Sequence, residues 1–267
     1  MTTDANIISL FTPPLSQAMD KKNIFLVASG KGGVGKTWFT ITLAHALAKA
    51  NQKVVIFDGD LGLANVDIQL GISPEKDLGL AIVGRMGLKE IIIPYEAGGF
   101  DVIAGRSGSG DLADLSPQRF VMVKHAIVSL AQDYDVMLID LGAGVGGIIS
   151  DLSQIASQCF VVVTEEPTSI TDAYAFVKLT HSAFRDMPIK IVINEAKNKQ
   201  MGAKTFESFQ KVCERFLNYK PDLAGVIRTD FHVPDAIRHQ IPLLLRFPTS
   251  DAAQDVERIA KSVLRKI

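Results

Sequence analysis

The feature that most constrains the fold is a glycine-rich segment, residues 30–37, between an apolar run and a helical pattern. Its sequence is G-K-G-G-V-G-K-T, which satisfies the phosphate-loop pattern G-x-x-x-x-G-K-[ST]. Residues 24–28 before it are all apolar, and residues 37–50 after it favour a helix. Glycines let a backbone turn tightly and present N–H groups, and a helix N-terminus favours anions. The order strand, loop, helix therefore predicts a phosphate-binding unit.

Further apolar runs alternate with helical patterns along the rest of the chain. We predict strands at residues 54–57, 99–103, 136–139, 159–163, 189–193 and 223–227. We predict helices at residues 116–132, with Ser116 as the cap, and at 170–184, 205–217 and 251–267. This alternation predicts an α/β fold, a mostly parallel twisted sheet with helices on both faces. Such sheets bind ligands at the carboxyl ends of their strands.

Composition limits the classes of protein to consider. The chain has 28 basic and 29 acidic residues, so its net charge of -1 gives no overall attraction to nucleic acid. Two distant cysteines, Cys159 and Cys213, supply neither a disulfide framework nor a metal cluster. No apolar run approaches about 18 residues, and the N-terminus lacks the pattern of a signal peptide. We expect a cytoplasmic protein.

The domain organisation is predicted to be simple. Residues 1–22 form a leader that Pro13 and Pro14 keep from being helical, and residues 23–267 form a single P-loop domain. The leader could pack loosely on the domain or dock a partner, and the sequence leaves both interpretations open.

Each position of the glycine-rich loop has a predicted role in holding a nucleotide. Lys36 is expected to bridge the β- and γ-phosphates, and the Thr37 hydroxyl is expected to bind Mg²⁺. Backbone N–H groups of the loop and of the residue after it are expected to contact phosphate oxygens. These residues are Gly30, Lys31, Gly32, Gly33, Val34, Gly35, Lys36, Thr37 and Trp38.

Three carboxylates follow predicted strands and are expected to complete the site. Asp140 ends the strand at residues 136–139 and should face the phosphate loop, where it would hold Mg²⁺. Asp58 and Asp60 lie just past the second strand. For both of these residues, an ordinary turn carboxylate is the alternative.

Lys31 gives the loop a second lysine, and the form K-G-G-V-G-K-T resembles the deviant Walker A family of ParA, MinD and the nitrogenase iron protein. The resemblance implies an ATPase with Mg²⁺ whose Lys31 reaches a partner's nucleotide, so that ATP is sandwiched in a homodimer. It assigns catalytic roles to Lys31, Lys36 and Asp60, with Asp60 orienting the attacking water. It places Asp58 in the magnesium shell.

Three further stretches, residues 58–67, 138–144 and 164–174, resemble the FlhG (FleN) flagellar-number ATPases, relatives of MinD. The resemblance covers residues 23 to about 260. It implies that Asn194 recognises adenine. It also implies an ATP-dependent switch that counts or positions a cellular structure, with flagella as the first candidate and an FlhF-like GTPase or another localisation factor as partner.

The chain departs from that family at several points. Trp38 stands where a small or polar residue is usual, and Glu165 replaces a proline. The leader lacks the motif D-Q-A-x-x-L-R, and the chain stops after the helix at 251–267, without a further amphipathic helix. We therefore expect membrane binding to be weak or indirect, through a partner at the membrane or cell pole.

The last predicted helix carries an apolar stripe that includes Val256, Ile259 and Val263. Such a stripe suits a membrane surface or the protein's own core, and we favour the core.

A different class of function stays open beside the leading one. A ParA-like partitioning module would bind DNA, and several basic residues could form its contact face: Lys197, Lys199, Lys204, Lys211, Arg215 and Lys220. The near-zero net charge favours a solvated helix face instead, so we expect no nucleic-acid partner. A metallocluster ATPase would require clustered cysteines, which the sequence lacks.

Overall fold

The computed structural model describes residues 23–60, 64–105, 116–144 and 151–265. The predicted leader lies outside these ranges. Within them, eight strands form one sheet. The strands are β1 (Ile24–Ala28), β2 (Val54–Asp58), β3 (Ile93–Tyr95), β4 (Phe100–Ile103), β5 (Val136–Asp140), β6 (Gln158–Val163), β7 (Ile189–Ala196) and β8 (Asp222–Arg228).

Helices connect the strands and cover the sheet. They are α1 (Lys36–Lys49), α2 (Val66–Leu70), α3 (Leu78–Ile82), α4 (Pro117–Ala131), α5 (Pro167–Ala183), α6 (Lys199–Leu217), α7 (His232–Arg238), α8 (Leu243–Arg246) and α9 (Asp251–Leu264). The Ser116 side chain accepts a hydrogen bond from the Arg119 N–H, so it caps α4 as predicted.

The strand order is β3-β4-β2-β5-β1-β6-β7-β8, and every neighbouring pair is parallel except β3 with β4. The first strand therefore lies in the middle, between β5 and β6. After β1 the chain forms the half of the sheet that contains β2 to β5, and it then forms the half that contains β6, β7 and β8. A loop that follows β1 consequently sits at the point where the strand order reverses, which is where open α/β sheets bind ligands.

The core consists of two layers, one on each face of the sheet. Ile24, Leu26 and Ala28 of β1 belong to the layer formed with α4, α5 and α6. Phe25 and Val27 belong to the layer formed with α1 and α9. Successive side chains of a strand point to opposite faces, so a strand with two buried faces must be apolar throughout. The predicted α/β fold class is confirmed.

The structure also contains elements that the sequence patterns did not predict. The short strand β3 pairs antiparallel with β4 and includes Pro94. Three residues are too few to show an alternating pattern, and proline is tolerated at an edge. Helix α6 begins at Lys199, six residues before the prediction, because the Asn198 side chain accepts a hydrogen bond from the Met201 N–H.

Helix α9 directs its apolar stripe into the core. Val256, Ile259 and Val263 are buried in the layer that includes α1. The stripe is therefore used in packing, as the sequence analysis favoured. Among the residues that the structure describes, no helix combines the length and apolar content needed to cross a membrane.

Asp255 attaches α9 to the edge strand β8. Its carboxylate is buried and accepts hydrogen bonds from the Arg228 backbone N–H at 3.1 Å and from Arg228 Nε at 2.8 Å. Arg258 donates to it as well. Burial alone would raise the pKa of Asp255, but these hydrogen bonds hold that pKa below its usual range.

We predict that Asp255→Asn lowers the free energy of unfolding by about 2 to 3 kcal/mol, because it leaves Arg228 facing a neutral group at a partly buried site. Urea unfolding at neutral pH measures the effect. Asp251→Asn is the matched control, since Asp251 pairs with the same arginine at 2.7 Å but is exposed. It should cost less than about 1 kcal/mol. Equal losses in the two variants would contradict this account.

Candidate active site

The glycine-rich loop leaves the carboxyl end of β1 and closes on the first turn of α1. Gly35 has a φ of 84°, and a Cβ added there would lie 2.4 Å from Asn194 Nδ2. Gly30 is required for a different reason, since its Cβ would lie 2.3 Å from the Asp172 carbonyl carbon. The loop is thus pressed between β7 on one side and the backbone of α5 on the other. The backbone contact demands glycine at position 30, and the left-handed φ favours it at position 35.

Asp140 is the centre of the polar contacts beneath the loop. Its Oδ1 lies 2.9 Å from Lys36 Nζ, and its Oδ2 accepts a hydrogen bond from the Thr37 hydroxyl at 2.6 Å. The Thr40 hydroxyl lies 2.9 Å from Oδ1. Lysine, hydroxyl and carboxylate therefore converge at one point, at the N-terminus of α1. The Thr37 and Asp140 oxygens are ligands of the kind that Mg²⁺ prefers.

Asp58 lies beside Asp140 because β2 and β5 are parallel neighbours whose last residues are in register. It is fully buried and accepts hydrogen bonds from the N–H groups of Asp60, Asn65 and Val66 at 3.1 to 3.2 Å. Burial and, to a smaller extent, the charge of Asp140 together raise the pKa of Asp58 to about 7. The carboxylate therefore holds the chain segment that follows β2. Its position in the magnesium shell stays a prediction.

Asp60 lies at the same edge of the sheet, against the turn that follows β5. A Cβ added to Gly142 would be 3.4 Å from the Asp60 carboxylate. The Gly59 N–H donates to the Asp140 backbone oxygen at 2.8 Å, which fixes the start of this segment. Asp60 is thus close to the loop and partly accessible. Its predicted role with the attacking water needs such a position.

Lys31 has different contacts from Lys36. Its Nζ lies 2.7 Å from Glu166 Oε2 and 3.0 Å from Thr168 Oγ1, at the start of α5. The Lys31 side chain is 38% exposed, whereas that of Lys36 is 9% exposed. The two lysines of the motif therefore face different surroundings, one outside and one inside the site.

Asn194 is buried two residues before the end of β7, and its Nδ2 donates to the Val34 backbone oxygen at 2.9 Å. It therefore holds the loop in place. Its predicted contact with adenine is not tested by this geometry and stays a prediction.

A cavity of about 1050 Å³ is lined by Lys36, Thr37, Asp60 and Asn194, whereas Asp58 and Asp140 lie beneath its lining. The loop, Asp60 and Asn194 line one part, and the segment from β8 to α7 lines the rest with Thr229, Asp230, Val233 and Ile237. The sequence analysis missed that segment, because only the sheet order brings it to the loop. It also missed Thr40, although Thr40 lies three residues after Thr37 on the same face of α1.

Comparison with known proteins identifies the family. Residues 25–243 match the CobQ/CobB/MinD/ParA nucleotide binding domain. Antiactivator FleN of Pseudomonas aeruginosa is 35% identical over 92% of this chain and 88% of its own length. The flagellum site-determining protein YlxH of Helicobacter pylori is 32% identical over 90% of this chain and 81% of its own length.

Solved structures agree on the fold. A chain of the MinC:MinD cell division protein complex of Aquifex aeolicus superposes with a TM-score of 0.75 at 22% identity, over 91% of this chain and 96% of that one. The ParA family ATPase of Chlorobium tepidum gives a TM-score of 0.76 at 20% identity, over 90% and 99%. The predicted ATPase activity and the predicted cofactors, ATP and Mg²⁺, agree with this family and fit the loop, Thr37 and Asp140. The chain belongs to the CobQ/CobB/MinD/ParA family of P-loop ATPases.

Proposed function

We propose that this ATPase is a dimerising switch that controls the number or position of flagella. The observation that carries the proposal is the position of Lys31, which is exposed at the edge of the site while Lys36 fills its interior. A partly exposed loop lysine can reach a second protomer once it leaves Glu166 and Thr168. Support for the flagellar assignment comes from the similarity to FleN and to the flagellum site-determining protein YlxH over nine-tenths of the chain.

For hydrolysis, the proposed roles follow the contacts of each residue. Lys36 would exchange Asp140 for phosphate oxygens, and Thr37 and Asp140 would hold the metal. Mg²⁺, when bound, would neutralise phosphate charge. Asp60 orients the attacking water from the edge of the cavity. Lys31, from the partner protomer, adds positive charge where negative charge spreads over the transferred phosphoryl group.

Asp58 is proposed to couple the site to the chain after β2. It binds the N–H groups on both sides of residues 61–63, which lie outside the described residues. Because Asp60 belongs to the same segment, the Asp58 hydrogen bonds set where the Asp60 carboxylate can lie. Asp58 therefore acts as a positioning residue beside the metal site.

Partners and location are proposed on the same basis. A homodimer with ATP between its protomers, and a protein partner such as an FlhF-like GTPase, fit the resemblance to FlhG. Recruitment to a membrane or cell pole would pass through that partner, because the apolar stripe of α9 is buried in the core. We propose that residues 23–267 form one domain that follows a leader, residues 1–22.

The DNA-binding alternative receives little support from the basic residues that suggested it. Lys199 lies 3.4 Å from Asp255, and Glu207 and Glu214 interrupt the basic residues of α6. Retention of DNA that requires ATP and weakens steeply with salt would favour a partitioning function instead.

We predict that Asp60→Ala retains ATP binding and lowers turnover at least about 100-fold, because it removes only the group that orients water. Phosphate release and fluorescent-nucleotide binding measure the two properties. Lys36→Ala should lose tight binding as well. Asp67→Ala, in α2 of the same segment, should hydrolyse ATP normally. Native turnover by the Asp60 variant would show that another residue orients the water.

We predict that Lys31→Ala prevents ATP-dependent dimerisation. In the Asp60→Ala background, light scattering coupled to gel filtration should show a monomer without nucleotide and a dimer with ATP. Adding Lys31→Ala should return the protein to a monomer, since the charge across the interface is lost. Lys178→Ala, at an exposed position of α5, should leave the dimer intact. A dimer indifferent to nucleotide and to Lys31 would refute the switch.

We predict a pH dependence of stability from Asp58 in protein free of nucleotide and Mg²⁺. The pKa of Asp58 is about 7 when folded against 3.8 ordinarily, so between these values the folded state holds a proton that the unfolded state has lost. Asp58 should therefore make stability fall as pH rises from 4 to 7, by at most about 1.4 kcal/mol per pH unit. Urea unfolding across this range should show a shallower fall for Asp58→Asn. If stability fell equally with pH in the native protein and in Asp58→Asn, the prediction would be contradicted.

A further inference from the structure

Thr40 carries a hydroxyl of α1 that contacts the central carboxylate of the site. The residue is fully buried and is not among the described residues that line the nucleotide cavity. Its Oγ1 lies 2.9 Å from Asp140 Oδ1 and 3.1 Å from the Lys36 backbone oxygen. The one hydroxyl proton therefore has a charged acceptor and a neutral one, and hydrogen bonds to charged groups are the stronger kind. Any effect of Thr40 on a bound nucleotide must pass through the residues it contacts.

Two threonines of α1 hold the two oxygens of Asp140 separately. Thr37 donates to Oδ2 at 2.6 Å, and Thr40 donates to Oδ1 at 2.9 Å. The last torsion angle of an aspartate is broad, so hydrogen bonds and not rotamer preference set the plane of its carboxylate. The two threonines are three residues apart, on one face of the helix. Together they fix that plane relative to Thr37, which is the other residue proposed to hold the metal.

Lys36 shares Oδ1 of Asp140 with Thr40, since its Nζ lies 2.9 Å from the same oxygen. In the proposed reaction Lys36 turns to the nucleotide phosphates, so Oδ1 loses that partner. Of the contacts among the described residues, only the Thr40 hydroxyl would then remain on this oxygen. The Thr37 hydroxyl can keep donating to Oδ2, because its lone pairs stay available to a metal. Thr40 is therefore the contact on Oδ1 that does not change when nucleotide binds.

We propose that Thr40 is a positioning residue for Mg²⁺, which keeps the Asp140 carboxylate in its metal-binding orientation when Lys36 moves to the phosphates. The inference rests on the proposed roles of Lys36 and Asp140, and it adds a residue that touches neither nucleotide nor metal. Loss of a group that orients a metal ligand typically weakens metal binding about 10- to 100-fold. Thr40 should therefore affect the metal far more than the nucleotide.

Thr40→Val tests this separation, because it removes the hydroxyl and nearly keeps the shape of the side chain. Mn²⁺ affinity in the presence of ADP should fall at least about tenfold, as measured from the electron paramagnetic resonance signal of free Mn²⁺. ADP affinity in EDTA should stay at the native value, because Thr40 does not line the cavity. The Mg²⁺ concentration for half-maximal ATP turnover should rise by the same factor as the loss of Mn²⁺ affinity. Thr40→Ser keeps the hydroxyl and should restore the native values.

Thr42→Val is the matched control. Thr42 is also buried in α1, and its hydroxyl donates to the Trp38 backbone oxygen at 2.8 Å, in the pattern that joins Thr40 to Lys36. Within the described part of the chain, the Thr42 hydroxyl contacts no carboxylate. Both variants lose a hydroxyl inside the same helix, but only Thr40→Val should weaken Mn²⁺ binding. Thermal unfolding without nucleotide shows whether each variant is folded.

Thr40→Ala is a second variant without the hydroxyl, and it should show the same separation between Mn²⁺ and ADP. Native Mn²⁺ affinity in the folded Thr40 variants, or an equal loss in Thr42→Val, would overturn the proposal. An equal loss of ADP affinity in EDTA would overturn it as well, since that result would mean a general distortion of the site. The proposed switch fails on a different result, namely native protein that binds ADP and Mn²⁺ but stays monomeric with ATP.

Discussion

The ion pair between Lys36 and Asp140 is the interaction on which the geometry of the site depends. Both side chains are nearly inaccessible to solvent, and two threonine hydroxyls also contact the carboxylate. Charges removed from water in this way are stable only when they are paired and hydrogen-bonded, and loss of one member leaves an uncompensated charge. The pair therefore fixes the start of α1 relative to the end of β5. Because β5 and β2 are in register, it also fixes Asp58 and the segment that carries Asp60.

The loop after β6 joins the outer face of the site to the neighbouring helix. Glu166 and Thr168 hold Lys31, while Glu165 accepts a hydrogen bond from the Lys197 N–H at 3.2 Å, just before α6. A proline at position 165 could not make that contact. In this chain the start of α5 is therefore tied to both the phosphate loop and α6. Release of Lys31 toward a second protomer would remove its contacts with Glu166 and Thr168 at the start of α5.

Sequence patterns predicted the parts of the structure that local chemistry determines. The phosphate loop, the buried strands and the carboxylates at strand ends all follow from short runs of residue type, and parallel strands bring Asp58 and Asp140 to one edge. The contacts of Lys31 with Glu166 and of Asn194 with Val34 join residues more than 130 positions apart. Side-chain partners at such separations depend on sheet order and loop geometry, which periodicity does not encode. Short elements such as β3 and α8 offer too few residues for any period.

Gly30 belongs to the phosphate-binding motif, but it is required for the packing of the loop against α5. Glycines at positions 33 and 35 have left-handed backbone angles that shape the loop, but Gly30 is required because the backbone of α5 passes against it. That requirement has no connection with phosphate. If a gene copy lost its nucleotide and drifted, selection for phosphate binding would end, whereas any side chain at position 30 would still displace α5. A glycine conserved at position 30 in a descendant that no longer binds nucleotide would therefore be evidence of the ancestral fold and not of the ancestral activity.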